Sequence, residues 1–175
     1  MKKSFSTRRL CRAGIIAALY VALTWGFSAL AFGGIQIRPA EALCILPLFF
    51  PEAVPALFIG CAIANTLSSI YDVVIGSATT LIASLGTYFI GRLLCRDNLK
   101  IAIGGLFPVL LNAFIIPIII VYLGNGAANN TATMGVYWSC VASIAATQAI
   151  WVYGLGRPLY FTVKRFREKK MSFFL

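Results

Sequence analysis

IRPAEALCILPLFFPEAVPALFIGCAIANTLSSIYD, residues 37–72, is almost wholly apolar, yet Arg38, Glu41, Glu52 and Asp72 stand inside it. A charge near the centre of a bilayer costs roughly 3 kcal/mol on insertion scales, so such groups persist only with partners, at an interface or around a cavity. The stretch therefore reads as one wall of a small-molecule site within a membrane protein.

The rest of the chain supports the membrane reading. Its 175 residues are 60% hydrophobic and 11% charged, with a mean hydropathy of +0.88. A soluble domain needs a far more charged surface. The net charge of +10 raises the question of nucleic acid, but the placement of the cations answers against it. Five precede residue 13, three lie between Arg92 and Lys100, six follow residue 156, and Arg38 stands apart. Basic residues confined to short segments beside apolar spans mark the cytoplasmic side and favour anionic lipid. Both termini are expected there, in a multi-pass protein of the cell membrane.

The apolar run from Ala13 to Phe32 follows a basic tail and ends near Ala29-Leu30-Ala31, so it imitates a signal peptide. Its length of about 20 residues, roughly 30 Å as a helix, predicts instead a retained first helix over 13–32. Small residues recur four apart along it, at Ala13, Ala17, Ala18 and Ala22, a pattern that lets a second helix approach closely. That second helix can belong to this protein or to a partner.

Gly33-Gly34 predicts a break, and Pro51-Glu52 a helix start, since proline suits the first helical position and a carboxylate suits the positive end of the dipole. The 40–67 run thus divides into a short helix, 40–50, and a second, 52–67. Charge parity requires the division, because an even number of crossings keeps the Arg92–Lys100 segment on the side of the N-terminal tail. Further helices are expected over 72–95, 101–123 and 134–163, with the loop holding Asn125, Asn129 and Asn130 outside. The expectation is an all-α membrane protein of six transmembrane helices, the second one short, forming a single integral-membrane domain over 1–175.

Catalytic signatures are absent from the sequence. There is no histidine, and Cys11, Cys44, Cys61, Cys95 and Cys140 are too dispersed for a metal centre, so no cofactor or metal is expected. The cysteines read as small packing residues. No GxxxxGK[ST], HExxH or GxSxG pattern occurs, which speaks against an ATPase or a hydrolase in this chain.

Arg38-Pro39-Ala40-Glu41-Ala42-Leu43, then LPLFFPEAVP (46–55), FIGCAIAN (58–65), DVVIGSATTLIA (72–83) and PVLLNA (108–113) resemble the QueT family, whose members are substrate-binding (S) components of energy-coupling factor (ECF) transporters for queuosine precursors. Ala56 departs from the glycine expected of that family. The resemblance implies an S-component-like bundle of six helices. It implies docking on an ECF transmembrane coupling subunit that carries two cytoplasmic ATPase subunits, through an AxxxA face at Ala13, Ala17, Ala18 and Ala22. It also implies a 7-deazaguanine ligand, a base or queuine.

The guanine-like edge of such a ligand presents an N–H and an amine side by side, which a carboxylate accepts in a bidentate manner. Glu41 and Asp72 are the candidate acceptors, Arg38 lies beside them, Asn65, Asn112 and Gln148 are candidate amides, and Trp25, Tyr71 and Trp138 offer stacking faces. Each has a plainer role. Arg38 and Glu41 can pair three residues apart, Asp72 can cap a helix, the amides can join helices, and the tryptophans can sit at the interface. Glu52 is expected at the cytoplasmic end as a cap or a subunit contact. Alternatives to the queuosine reading are an S component for a different vitamin, a small membrane enzyme and a structural subunit.

Overall fold

The computed structural model describes residues 7–28, 37–124 and 134–169. Those residues are helical, with no strand among them. Six elements follow in order: α1 (Thr7–Gly26), α2 (Pro39–Leu48), α3 (Ala53–Leu67), α4 (Asp72–Leu93), α5 (Asp97–Leu123) and α6 (Met134–Glu168). Only α1, α4, α5 and α6 are long and apolar enough to cross a membrane among the described residues, and α2 and α3 are shorter apolar helices. The six expected helices are present, but four of them, not six, have the length and composition to cross a membrane.

The ends shift as well. Helix α1 begins at Thr7 rather than Ala13, α5 begins at Asp97 and α6 runs on to Glu168. Residues 29–32, the Gly33-Gly34 break and the Asn125, Asn129 and Asn130 loop lie outside the described residues.

Helix α2 is not the α-helix expected over 40–50 but a ten-residue 3₁₀ helix. Pro39 opens it, and Arg38 before the proline is extended, as the proline ring requires of its predecessor. Every residue from Pro39 to Pro47 is buried, so the element has no solvent or lipid face. A 3₁₀ rod is thinner than an α-helix and rises about 2.0 Å per residue, so ten residues reach about 20 Å instead of about 15 Å. That lets a short segment thread the centre of the bundle. Ala40, Leu43, Cys44 and Leu46 pack on Ile16 and Tyr20 of α1 and on Leu57 and Cys61 of α3. Ile45 packs on Ile101 of α5 and Tyr160 of α6.

Pro51 and Glu52 form the turn into α3. Glu52 makes no side-chain cap bond there. Its carboxylate instead reaches back to Arg12 of α1, with Nη2 to Oε1 at 2.7 Å and both side chains buried. The capping expectation for Glu52 gives way because a buried carboxylate gains more from a full opposite charge than from partial charges at a helix end. Arg12 also lies over the Phe50 ring, 4.6 Å from its centroid. This pair, the Arg92–Lys100 segment and Lys164 lie together at one end of the bundle, the basic end.

Candidate functional site

Glu41 is 2% exposed. Its Oε1 accepts the Tyr20 hydroxyl at 2.8 Å, and its Oε2 accepts the Cys44 thiol at 3.3 Å and the Asn112 amide at 3.3 Å. Three elements, α1, α2 and α5, thus converge on one carboxylate. The Glu41–Cys44 contact follows from the winding, because side chains three apart eclipse in a 3₁₀ helix. Tyr20 is fully buried and lies eight residues above Arg12 on α1, about 12 Å further from the basic end.

A second set of polar groups adjoins the first. Arg38 is buried, and its guanidinium lies within electrostatic range of both Tyr20 and Cys61. Cys61 takes a contact from the Asn65 amide at 3.4 Å and one from the Thr80 hydroxyl at 3.3 Å. The Asn65 amide also donates to the Asp72 backbone carbonyl at 2.9 Å. Asp72 Oδ2 accepts from the Ser68 hydroxyl, and the Asp72 N–H donates to Ser69 Oγ at 3.2 Å, so the α4 start is capped by Ser69 rather than by Asp72.

Two buried oxygens in this region, Asn65 Oδ1 and Asp72 Oδ1, have no hydrogen-bond donor among the described residues, and the same holds for Gln148 Oε1, buried in α6. An unpaired buried acceptor costs about 1–3 kcal/mol. The set is therefore short of donors, and a molecule carrying several N–H groups would complete it. Asp72 opens a π-helical turn, Asp72–Gly76 in α4, and Gln148 lies two residues before another, Ile150–Leu155 in α6.

The structure brings Glu41 and Asn112 into direct contact and joins Asn65 to Asp72. It does not bring the tryptophans in. Trp25 uses its indole N–H on the Ala64 carbonyl at 3.2 Å, which fastens α1 to the end of α3. Trp138 is 56% exposed and stacks edge-on against Tyr137. Tyr71 is likewise exposed. Tyr20, Cys44, Cys61 and Thr80 are the residues that sequence reasoning missed. The available signal was the offset of three between Glu41 and Cys44.

The small-residue strip on α1 divides. Ala13 and Ala17 pack inward on the α2–α3 core, and a Cβ on Gly60 of α3 would come within 3.1 Å of the Ala17 carbonyl oxygen. Gly14, Ala18 and Ala22 face outward.

The family model of the QueT transporter matches residues 10–165. A queuosine precursor transporter, QueT, of Lactococcus lactis subsp. cremoris (strain MG1363) is 42% identical over 96 residues, which are 53% of this chain and 56% of that protein. The chain thus aligns with little more than half of that relative's length. No solved structure matches.

Proposed function

The chain belongs to the QueT transporter family, and on that premise we propose that it is the substrate-binding subunit of an ECF importer for a queuosine precursor, a 7-deazaguanine base or queuine. The carrying observation is the buried Glu41 carboxylate, held by Tyr20, Cys44 and Asn112 and adjoined through Cys61 by the Asn65 and Asp72 oxygens that lack donors.

Two carboxylate oxygens offer about four acceptor positions. Tyr20 fills one on Oε1, while Cys44 and Asn112 share Oε2 at the longer distance of 3.3 Å. The ring N–H and exocyclic amine of a deazaguanine take the remaining position on Oε1 and displace one of the two longer contacts on Oε2. The freed Asn112 amide then turns to a ring acceptor. Further N–H groups of the ligand meet Asn65, Asp72 and Gln148. Arg38 balances the charge of Glu41.

Uptake in this reading is driven by an ECF transmembrane coupling subunit and two cytoplasmic ATPase subunits. The outward Gly14, Ala18 and Ala22 strip of α1 supplies the docking face, and the basic end with both termini lies in the cytoplasm.

Calorimetry on the purified chain tests the proposal, with 7-deazaguanine bases, queuine, guanine and unrelated vitamins as titrants. Tight binding confined to the deazaguanines is the expected result. Preference for another vitamin would move the chain to a different S-component substrate, and no binding of any solute would favour a structural subunit.

A further inference from the structure

At the basic end, away from Glu41, the bundle opens into a cleft of about 610 Å³. Its floor is apolar and fixed. Leu48, Phe49 and Tyr160 form it, with the Phe49 and Tyr160 ring centroids 4.6 Å apart. Gly91 stands at the wall because a Cβ there would come within 2.9 Å of the Leu48 backbone, so α4 lies directly on the end of α2.

The rim carries four cations, Arg92, Lys100, Lys164 and Arg167, and two carboxylates, Asp97 and Glu168. Both carboxylates turn to the same cation. Lys164 bonds Asp97 and lies 3.9 Å from Glu168, and Asp97 also accepts the Tyr160 hydroxyl at 2.8 Å. Four cations against two carboxylates leave the rim at net +2, with Lys100 in electrostatic range of Asp97 and Arg92 and Arg167 completing the positive side. Arg92 is steadied by the Tyr88 ring, 5.2 Å from its guanidinium carbon to the centroid. One helical position away on α4, Phe89 and Leu93 are 57% and 74% exposed. A cationic cleft thus adjoins an apolar strip on the outside of the bundle.

We propose that this cleft binds the phosphate group of an anionic membrane lipid, with the acyl chains lying along Phe89 and Leu93. A guanidinium matches phosphate in a bidentate manner, and Lys100 adds a point charge from the neighbouring helix. A free phosphate anion has the same headgroup chemistry but gains nothing from the apolar strip.

The test is native mass spectrometry of the full, delipidated chain titrated with phosphatidylglycerol or phosphatidylcholine. One phosphatidylglycerol should be retained per chain, in preference to phosphatidylcholine. Each nearby cation is worth about fivefold in binding, so the double variant Arg92→Gln/Lys100→Gln should retain it about 25-fold less. Arg167→Gln, on a different helix, should give about fivefold. A control, Arg8→Gln/Arg9→Gln, removes two exposed cations of the same end outside the cleft and should change retention little. Equal losses in the control and the double variant would overturn the site. Displacement of the lipid by millimolar inorganic phosphate would overturn the lipid assignment, whereas resistance to it supports the apolar contribution.

Discussion

Replacing Glu41 with glutamine separates a binding carboxylate from a structural one. In the free protein the glutamine carbonyl can still accept from Cys44 and Asn112, while its NH2 donates to a reversed Tyr20 hydroxyl, so three bonds to a charged group become bonds to a neutral one. A hydrogen bond to a charged acceptor is worth roughly 1 kcal/mol more than one to a neutral acceptor, so the loss is about 3 kcal/mol. Against this, the substitution removes a full charge from a site that is 2% exposed, and the desolvation penalty of a buried ion is several kcal/mol. The two effects nearly cancel, so the melting temperature of the ligand-free protein should move by only a few degrees. Binding has no such compensation. The ligand loses two charge-assisted bonds of about 1.5–3 kcal/mol each, which predicts affinity weaker by about two to four orders of magnitude. Calorimetry and thermal unfolding in the same detergent read both quantities. Affinity within threefold of the unsubstituted protein would refute the reasoning, and a large drop in melting temperature with affinity retained would assign Glu41 to folding alone.

Tyr20→Phe keeps the ring and removes the hydroxyl that fixes Glu41 Oε1; calorimetry should show about tenfold weaker ligand binding, consistent with one charge-assisted bond, and an unchanged affinity would free Tyr20 of that role. Arg12→Met leaves Glu52 buried without its ion partner and should destabilise the protein by about 3–5 kcal/mol. Adding Glu52→Leu should restore most of the loss in thermal unfolding; a double variant no better than the single would show that the pair is not the cause. Gly60→Val forces a side chain where a Cβ already meets the Ala17 carbonyl and Tyr20 Cβ at 3.1 Å. Overpacking of this kind costs about 1–3 kcal/mol, and because Tyr20 is displaced, calorimetry should show ligand affinity falling together with the melting temperature.

The division of the 40–67 run was legible because Pro51-Glu52 is a local signal that needs no tertiary context. The winding of α2 was not. A segment buried on every side has no polar face, and without one a period of 3.0 cannot be told from 3.6. Glu41 stood out because a carboxylate in an apolar run demands partners, and Asn112 because an amide at mid-span does so too. Which partners they find depends on how α1 packs, so Tyr20, a residue type equally at home at a membrane interface, carried no mark of its role. The same ambiguity worked in reverse for Trp25, whose indole is engaged by the end of α3. The alanine strip was legible as a contact surface but not as two surfaces. Only the rotation of α1 decides that Ala17 faces Gly60 while Ala18 faces outward.

The 3₁₀ winding of α2 couples length to rotation. Glu41 and Leu48 are seven residues apart, and Leu48 sits against Gly91 at the basic end. Each residue turns about 120° in a 3₁₀ helix and about 100° in an α-helix, with rises of about 2.0 and 1.5 Å. Rewinding those seven steps with Leu48 held in place would swing Glu41 by about 140° and draw it some 3.5 Å toward the basic end. The carboxylate would leave Tyr20 and Asn112 together. The position of Glu41 is thus tied, through the pitch of the rod, to whatever holds Leu48 at the other end.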